Sequence, residues 1–301
     1  MPKVWIEAAL NGAWTRERQP AIPISVADIV ADGIAAAKAG AAIIHLHAYD
    51  EATGRQRDDY DIYAPIIEGI RAQVDAIVYP TLPIAGSGYA GDLTPAKERY
   101  AHVERLAKAG LLEWAVVDPG SAVFTRFDEI ARGEAGFTYL NPDDHFREGM
   151  RIAAQYGARP SYAIYEAGCL RLGAATAAAM PNVPTPIYRF MFADEFCFGF
   201  PPKAAYLDAH LALLAEVVGG APWMVAGLGV DIKPLIEPAV ERGGHIRVGL
   251  EDRPWGVKET NRGLVEEAVR LVRAAGGEPA SAAEVRAVCS QTDMALGRGS
   301  A

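Results

Sequence analysis

The chain has 301 residues, half of them hydrophobic and 22% charged, which suits a large α/β core and argues against disorder. Acidic residues outnumber basic ones 38 to 29; a net charge of −9 argues against a nucleic-acid partner, which needs a basic face, while leaving room for site arginines that grip a small anion. Cys169, Cys197 and Cys289 are too widely spaced for a C-x-x-C metal motif or a disulfide framework, and residues 1–10 read as neither signal peptide nor membrane span, so the expectation is a cytoplasmic protein without a membrane partner.

From the first residues onward, apolar runs alternate with helical stretches. Residues 4–10 (V-W-I-E-A-A-L) read as a strand. Ser25 then caps an alanine-rich helix through Ala39, closed by Gly40. Strands over 42–46, 76–82 and 114–118 are separated by a helix across 61–74 and one opened by Thr94-Pro95. A helix over 143–156, an extended segment at 161–165 and a helix at 169–179 follow. Next come strand 187–192, helix 203–218, strand 223–228, a short helix near 235–242, strand 245–249 and a helix over 260–275. Eight strand–helix pairs without a break in composition predict α/β class and one TIM barrel over 1–301, with an open doubly wound sheet as the alternative. The segment 119–142 is long for a barrel loop and predicts an extra short helix; residues 298–301 read as a frayed tail.

In such a barrel, chemistry belongs at the C-terminal ends of the strands. The second strand ends I-I-H-L-H-A-Y-D, and alternation puts His45 and His47 on one face, where two imidazoles can grip a divalent metal. In G-G-H-I-R-V-G-L-E-D-R the same alternation aligns His245, Arg247, Gly249 and Glu251, with Glu251 and Asp252 at the rim. Closure brings this strand near the second, so Glu251 is a third ligand, whereas two solvated loop acids are the plainer reading. His245 lies deeper and reads as packing. Arg247 needs a partner; it either orients Asp252 or holds a substrate carboxylate bidentately. Thr81, Asp118, Ser121 and Glu166 are rim polars that bind substrate or merely cap loops, and Gly227 with Gly229 leaves room for a ligand beside the backbone. No Walker or G-x-S-x-G sequence is present.

Together, A-A-L-N-G-A, P-I-S-x-x-D-I, A-G-A-A-I-I-H-L-H, V-A-G-L-G and G-G-H-I-R-V-G-L-E-D resemble the β-keto acid cleavage enzyme family, whose founding activity is 3-keto-5-aminohexanoate cleavage. The resemblance runs in order to about residue 275. It implies a TIM barrel whose zinc, or another divalent metal, is held by His45, His47 and Glu251. It implies transfer of a β-keto acid's acyl part to coenzyme A from acetyl-CoA, releasing acetoacetate. It further implies Asp252 as base, Arg247 as its support, Thr81 as a substrate contact, and a homotetramer. Competing readings on the same barrel are a metal-dependent carbon–carbon lyase or hydrolase without coenzyme A, and a silent ligand-binding barrel.

Three departures bear on the substrate. A glutamate that pairs with the substrate amine in the aminohexanoate-cleaving member is replaced by Trp14, which predicts a substrate without an amino group and with an apolar side chain. The family's acidic P-E-x-E is P-S-Y-A here, with Glu166 nearby. Its G-G-M-S-G loop is A-D-E-F-C-F-G-F-P-P, acidic and aromatic, on the path the acyl or coenzyme A moiety would take.

Overall fold

The computed structural model describes residues 1–85 and 93–298. Eight strands alternate with eight helices. The strands are β1 (Ile6–Ala9), β2 (Ile43–Leu46), β3 (Ile77–Pro80), β4 (Trp114–Val116), β5 (Arg159–Ile164), β6 (Ile187–Phe192), β7 (Trp223–Gly227) and β8 (His245–Val248). The helices are α1 (Val26–Ala39), α2 (Tyr60–Arg71), α3 (Ala101–Lys108), α4 (Asp143–Tyr156), α5 (Ala167–Ala179), α6 (Ala204–Val217), α7 (Lys233–Glu241) and α8 (Asn261–Ala274). The strands are buried on both faces, as expected where helices cover one side and barrel interior the other.

The ladders joining these eight strands are all parallel, in the order β3-β2-β1-β8-β7-β6-β5-β4, which gives the expected TIM barrel, closed but for one seam. The one seam without a ladder lies between β3 and β4. There the Trp114 ring sits 6.0 Å from Tyr79 and 6.1 Å from Trp5, so aromatic packing fills the gap. Below, His245 stacks on Trp5 at 3.9 Å and accepts the Trp5 backbone N–H at Nδ1, which is the packing role expected of it.

Local chemistry sets the boundaries. Ser25 accepts from Asp28 N at the start of α1, and Asp59 caps α2, which begins at Tyr60. The first strand is shorter than expected: Lys3–Val4 leaves the barrel to pair with Glu278–Pro279. The helix opened by Thr94-Pro95 is split into Ala96–Arg99 and α3. A final helix, α9 (Ala282–Ala295), was not anticipated, although Ser281 and Glu284 form a capping box at its start. Arg159 ties it down through Asp293 at 2.5 and 3.2 Å. Of the expected tail, Arg298 bonds Ala177 O at 2.7 Å, and residues 299–301 lie outside the described residues.

The long segment after β4 holds the expected short helix, Phe127–Arg132, but inside an unforeseen hairpin. Ala122–Phe124 pairs antiparallel with Phe137–Tyr139. This insert docks on the loop after β6: Phe127 N donates to Glu195 O at 3.0 Å and Cys197 N to Thr125 O at 2.9 Å. The two loops together roof the C-terminal mouth of the barrel. Among the described residues, no helix is long and apolar enough to cross a membrane.

Candidate active site

Beneath that roof lies a cavity of about 530 Å³, with His45, His47, Glu251, Arg247 and Arg189 on its wall. The metal-ligand expectation can be tested on geometry. One ligand atom from each of His45, His47 and Glu251 lies within 4.8 Å of the others. His45 Nε2 and His47 Nε2 each face a different Glu251 oxygen at 3.5 Å. His47 Nε2 and Glu251 Oε2 are buried with no hydrogen-bond partner among the described residues. Two imidazole nitrogens and a carboxylate converge here, with His47 Nε2 and Glu251 Oε2 left unsatisfied, a donor set that fits a divalent cation such as zinc.

The surrounding residues fix these donors. His47 Nδ1 donates to Gln56 Oε1 at 2.9 Å, which leaves the Nε2 lone pair facing the centre. Asp58 in turn accepts from Gln56 Nε2 at 2.7 Å and so sets which end of the amide meets His47. Asn11 clamps the His47 backbone from both sides, accepting its N–H at 2.9 Å and donating to its carbonyl at 3.0 Å. Burial holds His45 well below the usual histidine range, keeping it neutral. Two glycines let the opposite strand end approach. Gly249 has φ +149°, and a Cβ there would lie 2.0 Å from Ala9 O; at Gly12 (φ +67°) a Cβ would strike Glu251 Cγ at 2.7 Å.

Arg247 is buried and fully engaged. It donates to Asp252 through Nε and Nη2, both at 2.9 Å, to Glu251 Oε1 through Nη2 at 2.7 Å, and to Glu7 Oε1 through Nη1 at 2.9 Å. Of its two expected uses, the contact to Asp252 is the one seen here, and these carboxylates leave no free pair of adjacent N–H groups for a bidentate substrate carboxylate. The buried site sets four carboxylates, Glu7, Asp118, Glu251 and Asp252, against two guanidiniums, Arg189 and Arg247. One divalent cation would restore neutrality.

The expected base is placed differently from the rim position read in the sequence. Asp252 is buried behind Arg247, beside Val230 and α8, and does not form part of the cavity wall. Burial pushes its carboxyl up to about 6 against the opposing pull of Arg247.

The remaining candidates divide. Thr81, Asp118 and Trp14 line the cavity. Asp118 accepts from Tyr139 Oη and from Ala163 N, both at 2.9 Å. Trp14 packs edge-on against Trp255 at 5.2 Å and donates its indole N–H to Glu251 O at 2.7 Å. Ser121, Glu166 and Gly227 lie outside the lining. Ser121 Oγ accepts from Asn141 N at 2.8 Å, Glu166 accepts from Gly199 N at 3.2 Å, and Gly227 packs on Val230 and Ile232. These three brace loops.

Sequence reading passed over several residues of the site. Arg189, on the wall, is a lone charge in I-Y-R-F-M-F, and Glu7, buried against Arg247 and outside the lining, is a lone acid in I-E-A-A; each was visible as a charge inside a buried strand. Phe124, Tyr139 and Phe196 come from the two roof loops, with Tyr165 and Trp255 beside them. Trp255 lies between two cations, Arg126 at 4.4 Å and Arg18 at 4.7 Å.

Comparison with known proteins gives the family. The profile of the beta-keto acid cleavage enzyme family matches residues 3–290. A 3-keto-5-aminohexanoate cleavage enzyme of Fusobacterium nucleatum is 30% identical over 298 residues, covering 96% of this chain and 98% of its own. A 3-dehydrocarnitine:acetyl-CoA trimethylamine transferase of Rhizobium meliloti is 28% identical, over 94% of this chain and 95% of its own. The solved ternary complex of ObcA with a C4-CoA adduct and oxalate shares the fold, with a TM-score of 0.72 at 18% identity over 90% of this chain and 68% of that one. A family match that spans both the H-L-H strand end and the G-G-H-I-R-V-G-L-E-D strand, joined to a relative this similar over almost its whole length, makes the chain a member of the β-keto acid cleavage enzyme family.

Proposed function

We propose that this enzyme transfers the acyl part of a β-keto acid to coenzyme A, consuming acetyl-CoA and releasing acetoacetate, with zinc or another divalent metal held by His45, His47 and Glu251. The observation that carries this reading is the convergence of three donor atoms within 4.8 Å, each of their residues keeping a buried atom unpartnered among the described residues, on the wall of a cavity large enough for a keto acid. A divalent ion bound there supplies Lewis-acid polarisation of a carbonyl oxygen. Relatives named as acetyl-CoA transferases support the co-substrate.

The protein's own groups then have distinct tasks. Arg247 fixes Glu251 and Asp252 in one array. Asp252, with its carboxyl raised to about 6, is the group we assign to take the proton, since a base titrating near neutrality is both available and strong enough. Its route to the substrate passes Arg247, so one of its oxygens must leave the guanidinium. Asp118 lines the cavity but has its oxygens committed to Tyr139, Ala163 N and Arg189.

The substrate side chain meets Trp14, Phe124, Tyr165, Met191, Phe196 and Leu228, an apolar and largely aromatic surface. Besides Glu251 and Asp118, the acids on the lining are Glu17 and Glu129, and Glu129 is engaged by Arg126 N at 2.8 Å. A keto acid without an amino group and with an apolar side chain fits this wall. The test is a panel of β-keto acids, apolar and amino-bearing, incubated with and without acetyl-CoA and scored for acetoacetate. Thioester-dependent acetoacetate from apolar members supports the proposal. Cleavage without the thioester points to a lyase, and binding without turnover to a silent barrel. We carry the homotetramer as part of this reading, supported by exposed Val123, Phe127 and Ile130 on the roof insert; light scattering checks it.

A further inference from the structure

Two buried arginines reach the cavity, and their environments differ. Arg247 meets carboxylates through Nε, Nη1 and Nη2. Arg189, on the inward face of β6, is equally buried, yet only its Nη2 meets acceptors among the described residues: Ser161 O at 3.3 Å and, loosely, Asp118 Oδ1 at 3.5 Å. Its Nε is buried with no partner. Asp118 cannot close the gap, because Tyr139 Oη and Ala163 N already hold its oxygens. Met191 lies next but one along β6, and Tyr165 also lines the cavity, so beyond that loose contact with Asp118 the neighbouring wall is mostly apolar.

A guanidinium cannot escape by losing its proton, and buried N–H donors without acceptors are costly. Such a group is matched by a planar anion presenting two oxygens. Arg189 shares its floor with the metal triad. Tyr79 links them, its ring 4.8 Å from the His45 ring and its hydroxyl 3.3 Å from the side chain of Ser161, whose carbonyl holds Arg189.

We propose that Arg189 is the anchor for the substrate's carboxylate, which directs the keto oxygen toward His45, His47 and Glu251 and the side chain toward the aromatic roof. This rests on the reading that the substrate is a β-keto acid. It makes Arg189 a specificity-determining residue for the acid end, while Trp14 and the roof select the other end. The inferred contact is a charge-assisted pair, with no bond made or broken.

The experiment measures binding of acetoacetate and of acetoacetamide to the metal-loaded enzyme by calorimetry without any thioester, in wild type, Arg189→Gln and Arg189→Lys. Metal content and melting temperature are recorded for each. The expected result is that wild type prefers the acid over the amide by roughly 10- to 100-fold. Arg189→Gln should lose that preference by weakening the acid alone, Arg189→Lys should retain part of it, and metal content should stay stoichiometric. Three results overturn the proposal: undiminished acid binding by Arg189→Gln, equal loss of acid and amide, or a wild type indifferent to the carboxylate. The second would mark Arg189 as an internal counter-ion of Asp118. Acid-selective binding through Arg189 in an enzyme that cleaves no keto acid would instead sink the proposed function and leave the anchor standing.

Discussion

Replacing Gln56 by leucine removes the acceptor that holds His47 Nδ1 at 2.9 Å while leaving all three metal donors in place. Loss of such an outer partner typically costs ~10- to 100-fold in metal affinity, about 1.4–2.7 kcal/mol. At a free zinc concentration ~1,000 times the wild-type dissociation constant, bound metal stabilises the wild type by about 4.1 kcal/mol. The leucine variant, at ~10 to 100 times its own constant, should gain only about 1.4–2.7 kcal/mol. Scaled to a chain of 301 residues, each kcal/mol moves the melting temperature by roughly 1.5–2 °C. Zinc should therefore raise the wild-type melting temperature by about 6–8 °C and the Gln56→Leu value by roughly 2–5 °C. His47→Ala, which loses a donor, should show almost no shift and sub-stoichiometric metal. Differential scanning calorimetry of chelated and reloaded protein, with elemental analysis, reads all three. A full wild-type shift in His47→Ala, or indistinguishable zinc affinity in Gln56→Leu, would refute the assigned donor set and its support.

Three more predictions test other parts of the argument. Asp252→Asn should keep its metal and lose about 10²- to 10⁴-fold in kcat; normal turnover would remove its role as base. Gly249→Ala should destabilise the protein by more than about 3 kcal/mol in urea unfolding, because its Cβ would fall 2.0 Å from Ala9 O at a φ of +149°, and a neutral effect would contradict the strand-end packing. Burial lowers His245 to about 3 and His210 to about 4, against ~6.5 for a free imidazole, so the unfolded chain binds protons that the fold refuses. Stability from these two groups is complete above pH ~6.5 and falls as pH drops toward their folded values, by about 2 kcal/mol each at pH 5. His210→Gln should remove its share of that acid loss, and an unchanged pH slope would refute the assignment.

Much of the convergence of His45, His47 and Glu251 was legible in the sequence because strand alternation is rigid: H-L-H must place both imidazoles on one face, and a carboxylate just past β8 must come near them once the barrel forms. The same alternation warns that Glu251 and Asp252, as neighbours, need not face the same way, and only Glu251 enters the cavity. The roof was hidden for another reason. Its hairpin strands have three residues each, lie on either side of a short helix and owe their place to a loop some seventy residues away, so no local pattern announces them. Arg189 and Glu7 were visible but ambiguous, since a single charge in an apolar strand has no spacing partner to name its task. Ser121 and Glu166 illustrate the converse: rim position alone does not separate a side chain that lines the cavity from one that pins a turn.

Trp14 joins two properties that evolution and engineering usually adjust separately. Its ring shapes the room for the incoming side chain, while its N–H bolts the carbonyl of Glu251. Retargeting this enzyme by exchanging that one residue therefore also loosens the peptide that carries the proposed metal donor. A successful redesign would have to supply another hydrogen-bond donor at the same spot, or recover ion retention elsewhere in the array.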